Sequence, residues 1–126
     1  MKILIIDDDQ MLIDVWSLVL QREGYEVLTA GTGHEGIELA KKEQPNFILL
    51  DQIMPDLKGN DVLRMLKTDP TTQNILVAMA SNYSENELMQ EAIQNGAVDY
   101  ILKYQIDPQD LVGKIKNLTQ ATGTPN

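Results

Sequence analysis

Ile3-Leu4-Ile5-Ile6, running straight into Asp7-Asp8-Asp9, and Phe47-Ile48-Leu49-Leu50, running into Asp51, are the stretches that decide the fold. An unbroken apolar run with no polar alternation reads as a strand buried on both faces, as in a parallel sheet covered by helices. A third run, Tyr100-Ile101-Leu102, ends in Lys103. In open parallel sheets the functional crevice lies beyond the carboxyl ends of the strands. The acids and the lysine are therefore predicted to meet at that edge. Two carboxylates about 4 Å apart repel by roughly 4 kcal/mol at an effective dielectric of about 20. A hard divalent cation with oxygen ligands would offset this, and Mg2+ suits a site of a few carboxylates.

Working outward, strand and helix patterns alternate. Residues 10–22 read as a helix with Leu12, Val15, Trp16 and Val19 on one face, stopped by Gly24. Residues 26–30 form the second strand. Thr32-Gly33-His34-Glu35 is a capping box opening a helix to about residue 43, which ends before Pro45. The third strand, 46–50, delivers Asp51, and a loop with Met54-Pro55 and Gly59 leads to a helix over 60–68. Ile75 to Ala80 is the fourth strand. Ser84-Glu85-Asn86-Glu87 reads as a second capping box, for a helix that stops near Gly96. Residues 99–102 are the fifth strand, and Asp107-Pro108 caps and starts a last helix to about 119. The tally is (βα)5, an α/β doubly wound parallel sheet with helices on both faces. Residues 1–119 read as one domain, and 120–126 as a flexible tail.

Composition bounds the function. A chain of 126 residues with 43% hydrophobic and 23% charged residues is an ordinary globular domain. Its formal charge of -9 opposes direct nucleic-acid binding, which needs Lys and Arg to neutralise phosphates. Without cysteine there is no disulfide framework, thiolate metal site or thiol nucleophile. No signal-peptide pattern precedes the first strand, and no apolar stretch approaches the roughly 20 residues that span a bilayer. The expected location is cytoplasmic, with no membrane contact.

Each candidate residue has a bland reading beside the functional one. Asp9 reads as the N-cap of the following helix, whereas the helix after Asp51 starts too late for Asp51 to cap it. Lys103 alone would be a surface lysine; among three acids its ammonium pairs with a carboxylate. Ser81, closing the fourth strand, offers a hydroxyl to the same crevice. His34 reads as solvated surface, and Trp16 and the methionines as core or groove filler. Tyr100 is either packed inward or displayed.

In order, Ile5-Ile6-Asp7-Asp8, Asp51-x-x-Met54-Pro55-x-x-x-Gly59, Ser81, Gly96-Ala97-x-x-Tyr100 and Lys103 resemble the receiver domain of two-component response regulators, of the chemotaxis-receiver-like kind. The resemblance covers roughly residues 1–119 and implies the flavodoxin-like strand order 2-1-3-4-5. It implies that Asp51 accepts a phosphoryl group from a histidine kinase or histidine phosphotransfer protein. Asp8, Asp51 and the backbone carbonyl of Ile53 would ligate Mg2+, with Asp7 acting mainly through a coordinated water. Ser81 and Lys103 would hold phosphoryl oxygens. Tyr100 would follow Ser81 inward, remodelling the surface of the fourth helix, fifth strand and fifth helix for a downstream protein partner or output domain.

Four positions depart from the family pattern. Tyr104 replaces the usual proline, and a cis peptide without proline costs about 3–4 kcal/mol, so a trans Lys103–Tyr104 bond and a rearranged loop are predicted. Asn82 stands where Ala or Gly is usual. Ile53 and Tyr83 border the position of an attacking water, where an apolar and a bulky side chain should slow hydrolysis of an aspartyl-phosphate. Two other functions compete. A flavin or nucleotide binder needs an anion-receptive loop, which Asp7-Asp8-Asp9 opposes. A receiver-fold interaction module that is not phosphorylated is opposed by the intact set of acids, Ser81 and Lys103.

Overall fold

The computed structural model describes residues 1–121. The chain alternates β1 (Lys2–Ile6), α1 (Gln10–Arg22), β2 (Glu26–Ala30), α2 (Gly33–Glu43), β3 (Phe47–Asp51), α3 (Gly59–Thr68), β4 (Leu76–Ser81), α4 (Asn86–Gln94), β5 (Asp99–Leu102) and α5 (Pro108–Ala121). The strands pair in parallel in the order β2-β1-β3-β4-β5. This is the doubly wound order expected.

Burial on both faces explains the unbroken apolar runs. Leu4, Ile6, Ile48, Leu50, Val77 and Met79 pack against Ala40 of α2, Val62, Leu63 and Leu66 of α3 and Ala92 of α4. The alternate residues Ile3, Ile5, Phe47, Leu49, Ala78 and Ile101 pack against Trp16 and Leu20 of α1 and Leu111 and Ile115 of α5. Both layers are buried, so a one-residue slip of any central strand exchanges its two inward faces and register is tightly held. That register matters at the upper edge. Ile6 pairs with Leu50, Asp51 with Ala80 and Ser81 with Leu102. The residues that follow these pairs leave the sheet side by side.

Helix starts follow local chemistry. Asp9 caps α1 by accepting from the Leu12 amide at 3.3 Å, as expected. Thr32 Oγ1 accepts from Glu35 N at 3.1 Å, while Glu35 Oε1 reaches back to Gly31 N rather than to the cap residue's own amide. Asp107 accepts from the amide of Gln109, the second residue of α5, at 2.9 Å. His34 is exposed as expected, with Nδ1 2.6 Å from Asp56 Oδ2. Asp56 also accepts from the Gly33 and His34 amides, tying the loop before α3 to the start of α2.

Several expectations need correction. The buried face of α1 is Leu12, Ile13, Trp16 and Leu20, while Val15 is exposed. Met11, Val15 and Leu18 make this helix apolar on its outer side too, so periodicity alone misplaced the stripe by about one column. Ser84 does not cap α4. That helix starts at Asn86 with no side-chain cap bond. The preceding Tyr83 backbone is held at both ends, by Ser81 Oγ on its amide and by Tyr100 Oη on its carbonyl, so the chain turns helical only later. Among the methionines, Met54 and Met79 are core, but Met11 and Met65 are exposed. The last helix continues to Ala121, so residues 120 and 121 belong to it; the remaining tail positions, 122–126, lie outside the described residues. Among the described residues no helix is long and apolar enough to cross a membrane.

Candidate functional site

Asp7 follows β1, Asp51 ends β3, Ser81 ends β4 and Lys103 follows β5, and the register brings all four to one edge of the sheet. Lys103 Nζ lies 2.6 Å from Asp7 Oδ2 and 3.0 Å from Asp51 Oδ1. Asp7, Asp51, Ser81 and Lys103 are buried, and Asp8 is exposed at the mouth. Carboxylate oxygens of Asp7, Asp8 and Asp51 lie within 4.8 Å of one another.

The electrostatics follow from two buried acids sharing one ammonium. Burial pushes the Asp51 carboxyl up to about 6, with the Asp7 charge adding to it and Lys103 opposing. Asp7 is also raised, chiefly by burial, against the hydrogen bonds from Lys103 and the Asp9 amide. Burial works against the Lys103 ammonium, but its bonds to Asp7 and Asp51 prevail and raise its pKa. Three carboxylates against one ammonium leave a net negative cavity of hard oxygen donors. This donor set fits a divalent hard cation, with Asp7, Asp8 and Asp51 as the side chains able to hold it.

The other predicted residues take distinct places. Ser81 Oγ accepts from the Tyr83 amide at 3.0 Å. Tyr100 is neither fully packed nor free: its ring lies partly buried against the core beneath α4, and its hydroxyl donates to the Tyr83 carbonyl at 2.9 Å. Ser81 and Tyr100 thus grip opposite ends of one residue. Ile53 pairs with Lys58 in an isolated antiparallel bridge beside Asp51, its side chain half-exposed. Tyr83 and Asn82 are exposed. The peptide bonds are all trans among the described residues, Lys103–Tyr104 included, and Tyr104 takes a left-handed conformation at φ 62°.

Three further contacts support the site, two of which sequence reasoning misses. Gly59 packs so closely on the strand end that a Cβ there would lie 2.2 Å from the Asp51 carbonyl oxygen. Buried Gln52 accepts from the Asn60 amide at 3.0 Å, and buried Asn60 donates to Glu91 of α4 at 2.6 Å, bracing α3 against α4. Tyr104 Oη donates to the Asp9 carboxylate. Gly59 was flagged by its motif; the two polar links join distant segments and carry no local signal.

Residues 3–116 match the family model of the response regulator receiver domain. The chain belongs to that family: it is a receiver domain of two-component response regulators, whose shared function is phosphorylation on an aspartate. Among curated relatives, the response regulator PleD of Caulobacter vibrioides is 34% identical over 119 residues, covering 94% of this chain and 26% of PleD. The DNA-binding response regulator MtrA of Mycolicibacterium paratuberculosis is 29% identical over 115 residues, covering 91% of this chain and 49% of MtrA. The chain therefore spans about half or less of the length of these relatives. Among solved structures, a CheY-like receiver domain protein of Methanospirillum hungatei superposes with a TM-score of 0.89 at 32% identity, covering 95% of this chain and 94% of its own. Chemotaxis protein CheY4 of Vibrio cholerae gives 0.85 at 27%, covering 92% and 96%. The comparisons do not favour an interaction-only module.

Proposed function

We propose that Asp51 is the phosphoacceptor of this domain and that Mg2+ is its cofactor. The observation that carries this is the convergence of Asp51 with Asp7, Asp8 and the Lys103 ammonium at register-matched strand ends. An Asp51 carboxylate oxygen forms the bond to phosphorus as the P–N bond of a donor phosphohistidine breaks, and the imidazole leaves with the bonding pair and takes up a proton. Asp8, Asp51 and the Ile53 carbonyl would hold the metal, with Asp7 supporting at one remove. When bound, the ion supplies charge neutralisation at the transferring oxygens.

Lys103 exchanges its contact with Asp51 for a phosphoryl oxygen. Ser81 Oγ turns to another, releasing the Tyr83 amide that it now holds. The Tyr100 bond to the same residue then loses its fixed partner, so Tyr100 moves inward and the surface of α4, β5 and α5 changes. The domain catalyses only its own phosphoryl transfer and hydrolysis. Its donor is a histidine kinase or phosphotransfer protein in the cytoplasm. Its output is a protein partner or attached domain rather than DNA bound directly, in keeping with the charge of -9.

The test is incubation with Mg2+ and acetyl phosphate followed by intact mass. One added phosphoryl group is expected, absent without the metal; no gain in mass sinks the proposal. The half-exposed Ile53 and Tyr83 flank Asp51 and Ser81 in sequence. An Ile53→Asn, Tyr83→Glu variant should lose its phosphoryl group roughly tenfold faster, about 1.4 kcal/mol of barrier. Equal lifetimes would show that neither side chain hinders water.

A further inference from the structure

We propose that Tyr104 is a positioning residue for phosphoryl transfer, latching onto Asp9 across the mouth of the site and so holding Lys103 against the acids. The inference rests on the role given above to Asp51 and Lys103, and adds a residue to it.

The first observation is conformational. Tyr104 sits at φ 62°, a left-handed conformation that a bulky aromatic residue adopts only when its surroundings impose it. Burial does not impose it, because Tyr104 is 62% exposed. What engages the side chain is its hydroxyl, which donates to an oxygen of Asp9. The other oxygen of Asp9 caps α1 through the Leu12 amide. One carboxylate therefore joins two loops 95 residues apart, the one carrying Asp7 and Asp8 and the one carrying Lys103.

The second observation is how few backbone bonds hold the turn. The Lys103 amide closes the β4–β5 ladder on the Ser81 carbonyl at 2.8 Å, and the next backbone bond, Gln105 N to Leu102 O, is long at 3.4 Å. Lys103 Nζ must nonetheless be kept within hydrogen-bond reach of both Asp7 and Asp51. A tether from the residue directly after it to the rim of the acid cluster does this. It fixes where the backbone of Lys103 leaves the strand, and so where the ammonium lies when a phosphoryl group arrives. Small misplacements of such a group cost rate steeply.

Tyr104→Phe keeps the ring and removes the latch; Asp9→Ser keeps a capping hydroxyl on α1 but is too short to reach Tyr104. Phosphorylation by acetyl phosphate at saturating Mg2+ should slow roughly tenfold in each variant, and the double variant should be no slower than the slower single one. Thermal midpoints of Tyr104→Phe and the parent chain should agree closely. In metal-free protein, the Lys103 ammonium protons should exchange with water faster in Tyr104→Phe, a readout that needs no phosphorylation. A Tyr104→Phe rate equal to that of the parent, additive losses in the double variant, or unchanged ammonium exchange would overturn the latch. An unphosphorylated parent chain with the exchange effect present would instead overturn the assignment of Asp51 while leaving the tether standing.

Discussion

Replacing Gly59 with alanine should lower the thermal midpoint by on the order of 10 °C and block formation of the phosphorylated state. The first residue of α3 lies against the end of β3. A Cβ there would meet the Asp51 carbonyl oxygen at 2.2 Å, the Gln52 Cα at 2.7 Å and the Met79 Cε at 2.8 Å. Two of these are backbone, and the Gly59 amide donates to the Gln52 carbonyl at 2.6 Å, so α3 cannot retreat without breaking its own anchor. Overpacking typically costs 1–3 kcal/mol, and a clash with backbone belongs at about 3 kcal/mol, several degrees per kcal/mol for a domain of this size. Relief by shifting the strand end moves Asp51 itself. Gly113→Ala is the matched control: it lies inside α5 with nothing within 4 Å of the added Cβ, so it should stabilise by about 0.5–1 kcal/mol. Thermal melts of the two variants check both signs. A Gly59→Ala midpoint equal to that of the parent chain would contradict the packing described.

Lys103→Met should destabilise the metal-free protein by about 3–5 kcal/mol at pH 8, the usual cost of removing one partner from a buried ion pair. The loss should shrink on acidification. Asp51 is pushed up to about 6, mainly by burial and then by the Asp7 charge, above the unfolded carboxyl value of about 3.9. The folded state therefore holds more protons than the unfolded state between those values, and ionising Asp51 lowers stability as pH rises through about 6. Without the ammonium the ionised form is worse placed still, so the deficit is largest above pH 6 and least near pH 4. Magnesium should restore part of it at pH 8 by supplying the missing positive charge. Denaturant unfolding at pH 5 and pH 8, in chelator and then in Mg2+, measures this. The same deficit under all conditions would mean that Lys103 acts through packing of its stem rather than through charge.

The upper edge of the sheet was readable because its strands are buried on both faces. An apolar run that stops at a carboxylate fixes both the element and the place where the acid emerges, as at Ile6-Asp7 and Leu50-Asp51. Strand order came from the resemblance, since periodicity carries no information about neighbours. Where one residue serves two environments, pattern reading failed. Helix α1 is apolar on both its inner face and the exposed side bearing Met11, Val15 and Leu18, so its stripe was misplaced. Ser84 has the right neighbours for a cap, yet the hold of Ser81 and Tyr100 on Tyr83 delays the helix. Links between distant segments, such as the loop contact of Tyr104 with Asp9 and the helix contact of Asn60 with Glu91, depend on coordinates and leave no trace in local sequence.

The most direct test of the central claim is to locate the phosphoryl group. The chain is phosphorylated with acetyl phosphate and Mg2+, reduced with borohydride to convert the acyl phosphate to homoserine, digested and sequenced by mass spectrometry. Homoserine at position 51, and its absence from an Asp51→Asn variant, is the predicted result; conversion at any other carboxylate instead would contradict the account.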